Sequence, residues 1–478
     1  MKKTKIISTI GPACDDLTTI ENMAKAGMNI CRLNFSFGED ADRLKMIETI
    51  RQASKNTGIP IAIMQDLQGP KIRVGKLKAP VTVKEGQTIT LSGNTEHKDE
   101  FYFPTTYSCI ASDTVKGKTI LVADGKIILE VISTDKDKKE VVCKVTEAGT
   151  ILTGKGINLP YTNISLPSLT EKDIKDAIFG TKVGVDYVSL SFVRKASDVV
   201  GLRKLLKEHG SEAPIIAKIE KPEAVDNIEA IIDEVDGIMI ARGDLADEIA
   251  FAKVPLVQKS IIKKANKKGK LTIIATEMLS SMIDSMLPSR AEVSDIANGV
   301  LDGADVVMLS NETAMGKHPA RAVEVMATIA KEAEKGFTSE DFIQELELDE
   351  EHGQTEAICS AVAYLSYDIN NEAIAVFTRT GLTPQILSKL RPECTIFAAT
   401  YKQEVYNAMA FYNNVYPVLL DKTLFNTENH AGLTIPALQA QLYKNNVIKK
   451  GQRFIIITGE YIDNEWTEMN TIKIKTFS

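Results

Sequence analysis

Ile215-Ile216-Ala217-Lys218-Ile219-Glu220, Gly237-Ile238-Met239-Ile240-Ala241-Arg242-Gly243-Asp244-Leu245, Thr272-Ile273-Ile274-Ala275-Thr276-Glu277-Met278 and Val306-Val307-Met308-Leu309-Ser310-Asn311-Glu312-Thr313-Ala314 are four apolar runs of strand length. Each ends in groups suited to chemistry: Lys218 and Glu220, then Asp244, Thr276, and Ser310 with Glu312. Uninterrupted apolar runs are the mark of parallel strands buried on both faces, and catalytic groups collect at the C-terminal mouth of a barrel of such strands.

Working outward, shorter apolar runs stand at 5–9, 28–33, 61–64 and 187–193. Helical spacing lies between most runs, as at Leu17 to Ala26, Asp40 to Ser54 and Ser197 to His209. Eight strand–helix alternations with one gap predict an α/β chain built on a (β/α)8 TIM barrel over 1–70 and 168–338. The gap, 71–167, alternates apolar and polar residues and carries a turn signal at Asp124-Gly125, which predicts an inserted β-barrel lid domain over the mouth. An acidic stretch at 345–351 precedes further strand–helix alternation, so 339–478 is expected to form a C-terminal α/β domain for regulation and oligomerisation.

Bulk composition excludes several classes. The chain has 478 residues, too many for one core, and a formal charge of −7 with no long basic block, which argues against a nucleic-acid partner. Its six cysteines form no Cys-x-x-Cys pair, as expected for buried thiols in a reducing compartment. No apolar run approaches the ~20 residues of a membrane span, and Gly11-Pro12 breaks the segment after the basic start. A cytoplasmic protein is the expectation.

Glu220 and Asp244, on neighbouring strand ends, suit one Mg²⁺, although each could instead cap the following helix. Lys218 shares a strand face with Glu220 and is either a structural ion pair or a cation aimed at a developing oxyanion. Gly243 lets a ligand approach the backbone, while Thr276 and Ser310 taken singly read as caps or core hydroxyls. Arg32 and Arg73 suit phosphate, with an Arg32–Asp66 pair as the rival reading. Asn34, Ser36 and Asp66 could supply oxygens to a second cation.

The strings Thr-Ile-Gly-Pro-Ala (9–13), Arg-Leu-Asn-Phe-Ser (32–36), Gly-Pro-Lys-Ile-Arg (69–73), Lys-Gly-Ile-Asn-Leu-Pro (155–160), Ala-Lys-Ile-Glu (217–220), Ala-Arg-Gly-Asp-Leu (241–245) and Ser-Arg-Ala-Glu-Val-Ser-Asp (289–295) make the chain resemble the pyruvate kinase family. The resemblance implies phosphoryl transfer from phosphoenolpyruvate to ADP, the final step of glycolysis, through a metal-bound enolate that is then protonated to pyruvate. It implies Glu220 and Asp244 as ligands of Mg²⁺ (or Mn²⁺), and Lys218 as the group stabilising transfer. Substrate contacts are implied at Arg32, Arg73, Gly243, Asp244 and Thr276. Protonation falls to Thr276 with a Ser310 and Glu312 relay, and nucleotide contacts to Asn34, Arg73, Lys155 and Asp124. A monovalent-cation site would comprise Asn34, Ser36, Asp66 and Leu67, with Lys71 replacing the ion's charge as in the K⁺-independent branch, so K⁺ is not expected to be required.

Thr378, Thr380, Gly381 and Thr383 resemble the loop that holds the phosphate of a phosphorylated effector, against a purely structural turn, though the final loop with Trp466 lacks the family's glycine-rich run. A homotetramer is implied. Phe37, Ala246, Asp247, Glu277 and Asn311 depart from the family pattern. Two rivals stay open: a noncatalytic metabolite-binding relative, and a Mg²⁺-dependent lyase or aldolase of phosphoenolpyruvate or pyruvate. Lys218, Glu220, Asp244 and Thr276 standing together count against the first, and the insertion with Lys155 against the second.

Overall fold

The protein is described by a computed structural model covering residues 1–96, 98–123, 125–162, 164–337, 346, 353–368, 373–425, 430–459, 461–462, 465–466 and 471–477. Eight parallel strands close a barrel: Lys5–Thr9, Ile30–Asn34, Ala62–Asp66, Tyr187–Leu190, Ile215–Ile219, Gly237–Ala241, Leu271–Ala275 and Val306–Leu309. Each pairs with its neighbours in sequence, and the first closes on the eighth with Lys5 opposite Val306.

Side-chain alternation sorts these strands into two layers. Ile7, Met64, Ile216, Met239, Ile273 and Met308 point into the barrel and share one apolar cluster. Ile6, Ile63, Ile215, Ile238, Ile274 and Val307 point out and pack with the surrounding helices in another. This parity governs the site, because a polar residue that continues an inward row at a strand end faces the mouth.

The helices follow their local signals. Leu17–Ala26 starts where Asp16 accepts the Thr19 N–H and stops at Gly27, φ +121°. Asp40–Thr57 runs three residues past the expected Ser54, stopping only at Gly58 with φ +67°. Arg290–Leu301 opens with a reciprocal capping box between Ser289 and Glu292.

Between the third and fourth barrel strands, Thr88–Ser92, Tyr102–Pro104, Thr119–Val122, Ile127–Asp135, Glu140–Glu147 and Ile157–Asn158 form a six-stranded sheet, with Val81–Val83 and Gly149–Ile151 as a separate ribbon. The sheet curls about its own apolar core, which includes Val83, Phe103, Leu129 and Ile157. It reaches the barrel mouth at Asn158, whose amide donates to Glu248 Oε1 (2.9 Å), and at Gly125, where an added methyl group would meet Asp247 Oδ1 at 3.4 Å.

The C-terminal sheet has the order Val415–Leu419, Thr395–Thr400, Ala373–Phe377, Arg453–Thr458, Thr471–Thr476, parallel except for the last strand. It lies against the N-terminal ends of the barrel strands. The Tyr187 ring sits 3.9 Å from Phe411, Lys5 Nζ donates to the Val415 carbonyl (2.6 Å), and Asp305 accepts from Lys389 and from Arg391 (2.8 Å). One end of the barrel is thus occupied by packing, which leaves the other for chemistry.

Candidate active site

Inward parity carries Arg32, Asp66, Lys218, Glu220 and Ser310 to the mouth, continuing the rows of Ile30, Met64, Ile216 and Met308. Asp66 is the hub. Its Oδ2 accepts from Arg32 Nε (2.6 Å) and pairs with the other end of the guanidinium at 2.5 Å, while Oδ1 faces Lys218 Nζ (3.4 Å) and accepts from Ser189 Oγ (2.8 Å). Burial alone would favour the neutral acid, but Lys218 and Arg32 outweigh it and hold the carboxyl below its ordinary value. The Arg32–Asp66 pair weighed from sequence is therefore present, and Thr9 Oγ receives a third Arg32 bond at 3.0 Å.

Lys218 Nζ lies 3.0 Å from Glu220 Oε1 and donates to Ser191 Oγ (2.8 Å). Desolvation works against its charge, yet Asp66 and Glu220 prevail and raise its pKa, so the ammonium is fixed and charged. Glu220 behaves oppositely: burial pushes its carboxyl up and the Asp244 charge adds to this, against the pull of Lys218. Its Oε2 accepts the Phe192 N–H at 2.7 Å. Glu220 and Asp244, carboxylates at adjacent strand ends, are a hard-oxygen pair suited to a divalent cation. Among the described residues no cluster of three or more His, Cys, Asp or Glu is arranged for a metal. A two-carboxylate site is what Mg²⁺ accepts, since it retains water and substrate oxygens for the rest of its sphere.

Thr276 breaks the parity rule. Its strand points Ile273 and Ala275 inward, so a regular extension would turn Thr276 outward with Ile274. Instead Thr276 takes φ +72° and Glu277 φ +55°. Left-handed backbone at a β-branched residue costs roughly 1–3 kcal/mol and persists only where the surroundings impose it. The turn brings Thr276 Oγ to the Gly243 N–H (2.7 Å), and the hydroxyl donates to the Ala275 carbonyl (2.6 Å).

Ser310 Oγ is buried without a hydrogen-bond partner among the described residues, and its N–H donates to Glu312 Oε2 at 2.7 Å. Glu312 Oε1 accepts the Leu279 N–H (3.0 Å), so this buried carboxylate clips the ends of the seventh and eighth strands together through backbone donors.

The chain matches the pyruvate kinase barrel-domain model over residues 1–323 and the pyruvate kinase alpha/beta-domain model over 356–475. The chain belongs to the pyruvate kinase family. Pyruvate kinase of Geobacillus stearothermophilus is 38% identical over 482 residues, covering 100% of this chain and 81% of that protein. The Clostridium acetobutylicum pyruvate kinase is 38% identical over 462 residues, 96% of each chain. The crystal structure of a pyruvate kinase from Cryptosporidium parvum superposes with a TM-score of 0.92 at 35% identity, covering 100% of this chain and 96% of that one.

The remaining residues to which the resemblance gave roles lie as follows. The Lys71 ammonium lies 3.4 Å from Asp244 Oδ1. Asp66 is already neutralised by two cations, so the flexible lysine goes to the carboxylate that repels Glu220. In the expected monovalent-cation set, Asn34 Oδ1 accepts the Ser36 N–H (3.0 Å) and the Leu67 carbonyl accepts from Ser191 Oγ (2.7 Å). Arg73 is held at the lid base by the Gly154 carbonyl (2.9 Å) and is not drawn into the Asp66–Lys218 cluster. Lys155 is exposed beside it, and Asp124 lies outside the described residues.

In the C-terminal domain, Thr378 Oγ accepts the Gly381 N–H (2.9 Å) and Thr380 Oγ the Leu382 N–H (3.4 Å), with Gly381 at φ +88°. Thr383 is buried at the helix start, so part of this loop's hydroxyl content serves the turn itself. Of the departures from the family pattern, Phe37, Glu277 and Asn311 are exposed, and Asp247 faces the lid at Gly125. Sequence reading missed Ser191, Ser189 and Thr9, which secure Lys218, Asp66 and Arg32. The inward rows begun by Tyr187 and Ile7 were the available signal.

Proposed function

We infer that this member of the pyruvate kinase family is a phosphotransferase that moves the phosphoryl group of phosphoenolpyruvate to ADP, giving ATP and pyruvate. The observation that carries the reading is the Lys218 ammonium, fixed between Glu220, Asp66 and Ser191 at the barrel mouth beside Asp244. Phosphoryl transfer needs charge neutralisation and positioning more than covalent chemistry, and a buried, permanently charged lysine beside paired carboxylates supplies both.

In this account Glu220 and Asp244 hold Mg²⁺ or Mn²⁺, which supplies charge neutralisation of the transferred group. Lys218 stabilises charge on the phosphoryl oxygens and on the enolate left behind. Arg32, held flat by Asp66, and Arg73 bind phosphate. The Asp244 N–H receives the substrate carboxylate, joined by the Gly243 N–H when the Thr276 hydroxyl that it now holds gives way to the substrate. The Thr276 hydroxyl stands at the carbon to be protonated, with the unpartnered Ser310 hydroxyl behind it. Glu312 acts by positioning those two strand ends. Asn34, Arg73, Lys155 and Asp124 hold the nucleotide as the lid closes and excludes water.

Lys71 brings an ammonium to the mouth beside Asp244, so K⁺ is not required. The Thr378 to Thr383 loop takes a phosphorylated effector, and the protein works as a cytoplasmic homotetramer with neither nucleic acid nor membrane as partner. No helix among the described residues is long and apolar enough to cross a membrane. Pyruvate formation measured with and without ADP tests the reading. Strict dependence on ADP separates it from a lyase or aldolase, and absence of turnover would favour a metabolite-binding relative.

A further inference from the structure

The left-handed pair Thr276–Glu277 needs something to hold it, and the adjacent strand end provides a bracket. Arg242, the residue after the sixth barrel strand, is largely buried. One end of its guanidinium donates to the Thr276 carbonyl (2.9 Å) and touches Met278 Sδ (2.9 Å); the other donates to Asp295 (2.7 Å). Asp295 sits on the helix Arg290–Leu301, whose start is pinned by the Ser289–Glu292 box. The neighbouring Gly243 N–H holds the Thr276 hydroxyl. Two consecutive residues of the sixth strand end therefore grip Thr276 at its carbonyl and its hydroxyl.

A planar guanidinium cannot satisfy one of these partners and swing away from the other, since both arms belong to one rigid fork. We propose that Arg242 is a positioning residue for the protonation step: by anchoring the Thr276 carbonyl to Asp295, it keeps the Thr276 hydroxyl on the Gly243 N–H at the sixth strand's end rather than turned toward the outer helix layer. It touches no reacting atom. In the step it serves, a proton from solvent reaches the methylene carbon of the enolate through that hydroxyl, the carbon–carbon double bond becomes single and the enolate oxygen becomes a carbonyl. The proposal rests on the reading of Thr276 given above.

The test is the rate at which methyl hydrogens of pyruvate exchange for deuterium in D₂O with Mg²⁺ and ATP, followed by proton NMR on the full chain. Steady-state kinetics and thermal unfolding are measured alongside. Misplacing a reacting group slightly can cost up to about a hundredfold, so Arg242→Met should slow exchange by about ten- to a hundredfold. The KM for phosphoenolpyruvate should stay within about threefold of its starting value, as expected when uniform binding is kept. Asp295→Asn, which weakens only one arm, should slow exchange less and in the same direction, and it serves if the methionine variant does not fold.

In a Thr276→Ala background, adding Arg242→Met should change exchange by less than about twofold, because a residue that acts through Thr276 has nothing left to position. Normal exchange in both Arg242→Met and Asp295→Asn, or losses that multiply in the double variant, would overturn the proposal while leaving Thr276's role intact. Normal exchange in Thr276→Ala alone would instead remove the underlying reading, and the proposal with it.

Discussion

Replacing Lys218 with methionine removes the charge at the centre of the site while keeping the side chain's length and apolar stem. At 3.0 Å from Glu220 and 3.4 Å from Asp66, each attraction is about 5 kcal/mol gross at an effective dielectric of about 20. Desolvation of the three ions offsets much of this, but removing one member of a buried cluster strands the others, at a cost of about 3–5 kcal/mol. Arg32 still neutralises Asp66, so the lower end of that range is expected, read as the fall in unfolding free energy in urea.

Glu220 suffers most: already pushed up by burial and by Asp244, it loses the one cation opposing that rise. Its ionised form should then become harder to maintain, and activity in Lys218→Met should fall off at higher pH on the acid side than in the unaltered protein. Losing a charge aimed at the transition state should lower kcat by about a hundred- to a thousandfold. Coupled detection of pyruvate at saturating phosphoenolpyruvate, ADP and Mg²⁺ measures it. A kcat within about threefold of the unaltered protein would refute the assignment of Lys218, because so small a change is below what such a group supplies.

Lys71 supplies a resident cation, so KCl at constant ionic strength and saturating Mg²⁺ should change the rate by less than about twofold, and a large rise would contradict that role. Asp305→Asn leaves Lys389 and Arg391 buried against an uncharged partner at the junction of barrel and C-terminal sheet, and should cost about 3–5 kcal/mol in urea unfolding; an unchanged midpoint would show that this contact carries no stability. The folded-state pKa of Asp66 is depressed, so its contribution is present above its unfolded value of about 3.9 and lost as pH falls through the folded value. The stability gap between the unaltered protein and Asp66→Asn should therefore shrink below about pH 4, and a gap constant down to pH 2.5 would oppose the linkage.

Strand runs and their order were legible because a barrel buried on both faces writes its strands as apolar runs, and alternation alone places Lys218 on one face with Glu220, while the Arg32–Asp66 pair, which joins two strands, could only be weighed as a rival reading. The same alternation would have found Thr9, Ser189 and Ser191, whose residue types signal nothing by themselves. Thr276 could be named as a strand-end hydroxyl, but it sits in a left-handed turn whose carbonyl is bonded by Arg242 from the preceding strand's end, and no local propensity encodes that. Lys71 could be located on the chain, yet its partner was decided by which carboxylate the folded site leaves uncompensated. Glu312 could be named from the resemblance as part of a relay, but its two backbone donors, Leu279 and Ser310, come from different loops and no local pattern announces them.

The central claim is most directly tested by pyruvate formation from phosphoenolpyruvate with ADP and Mg²⁺ each supplied or withheld. The account predicts turnover only when both are present, with one ATP formed for each pyruvate. Pyruvate appearing at an undiminished rate without ADP, or no turnover with all components saturating, would contradict it.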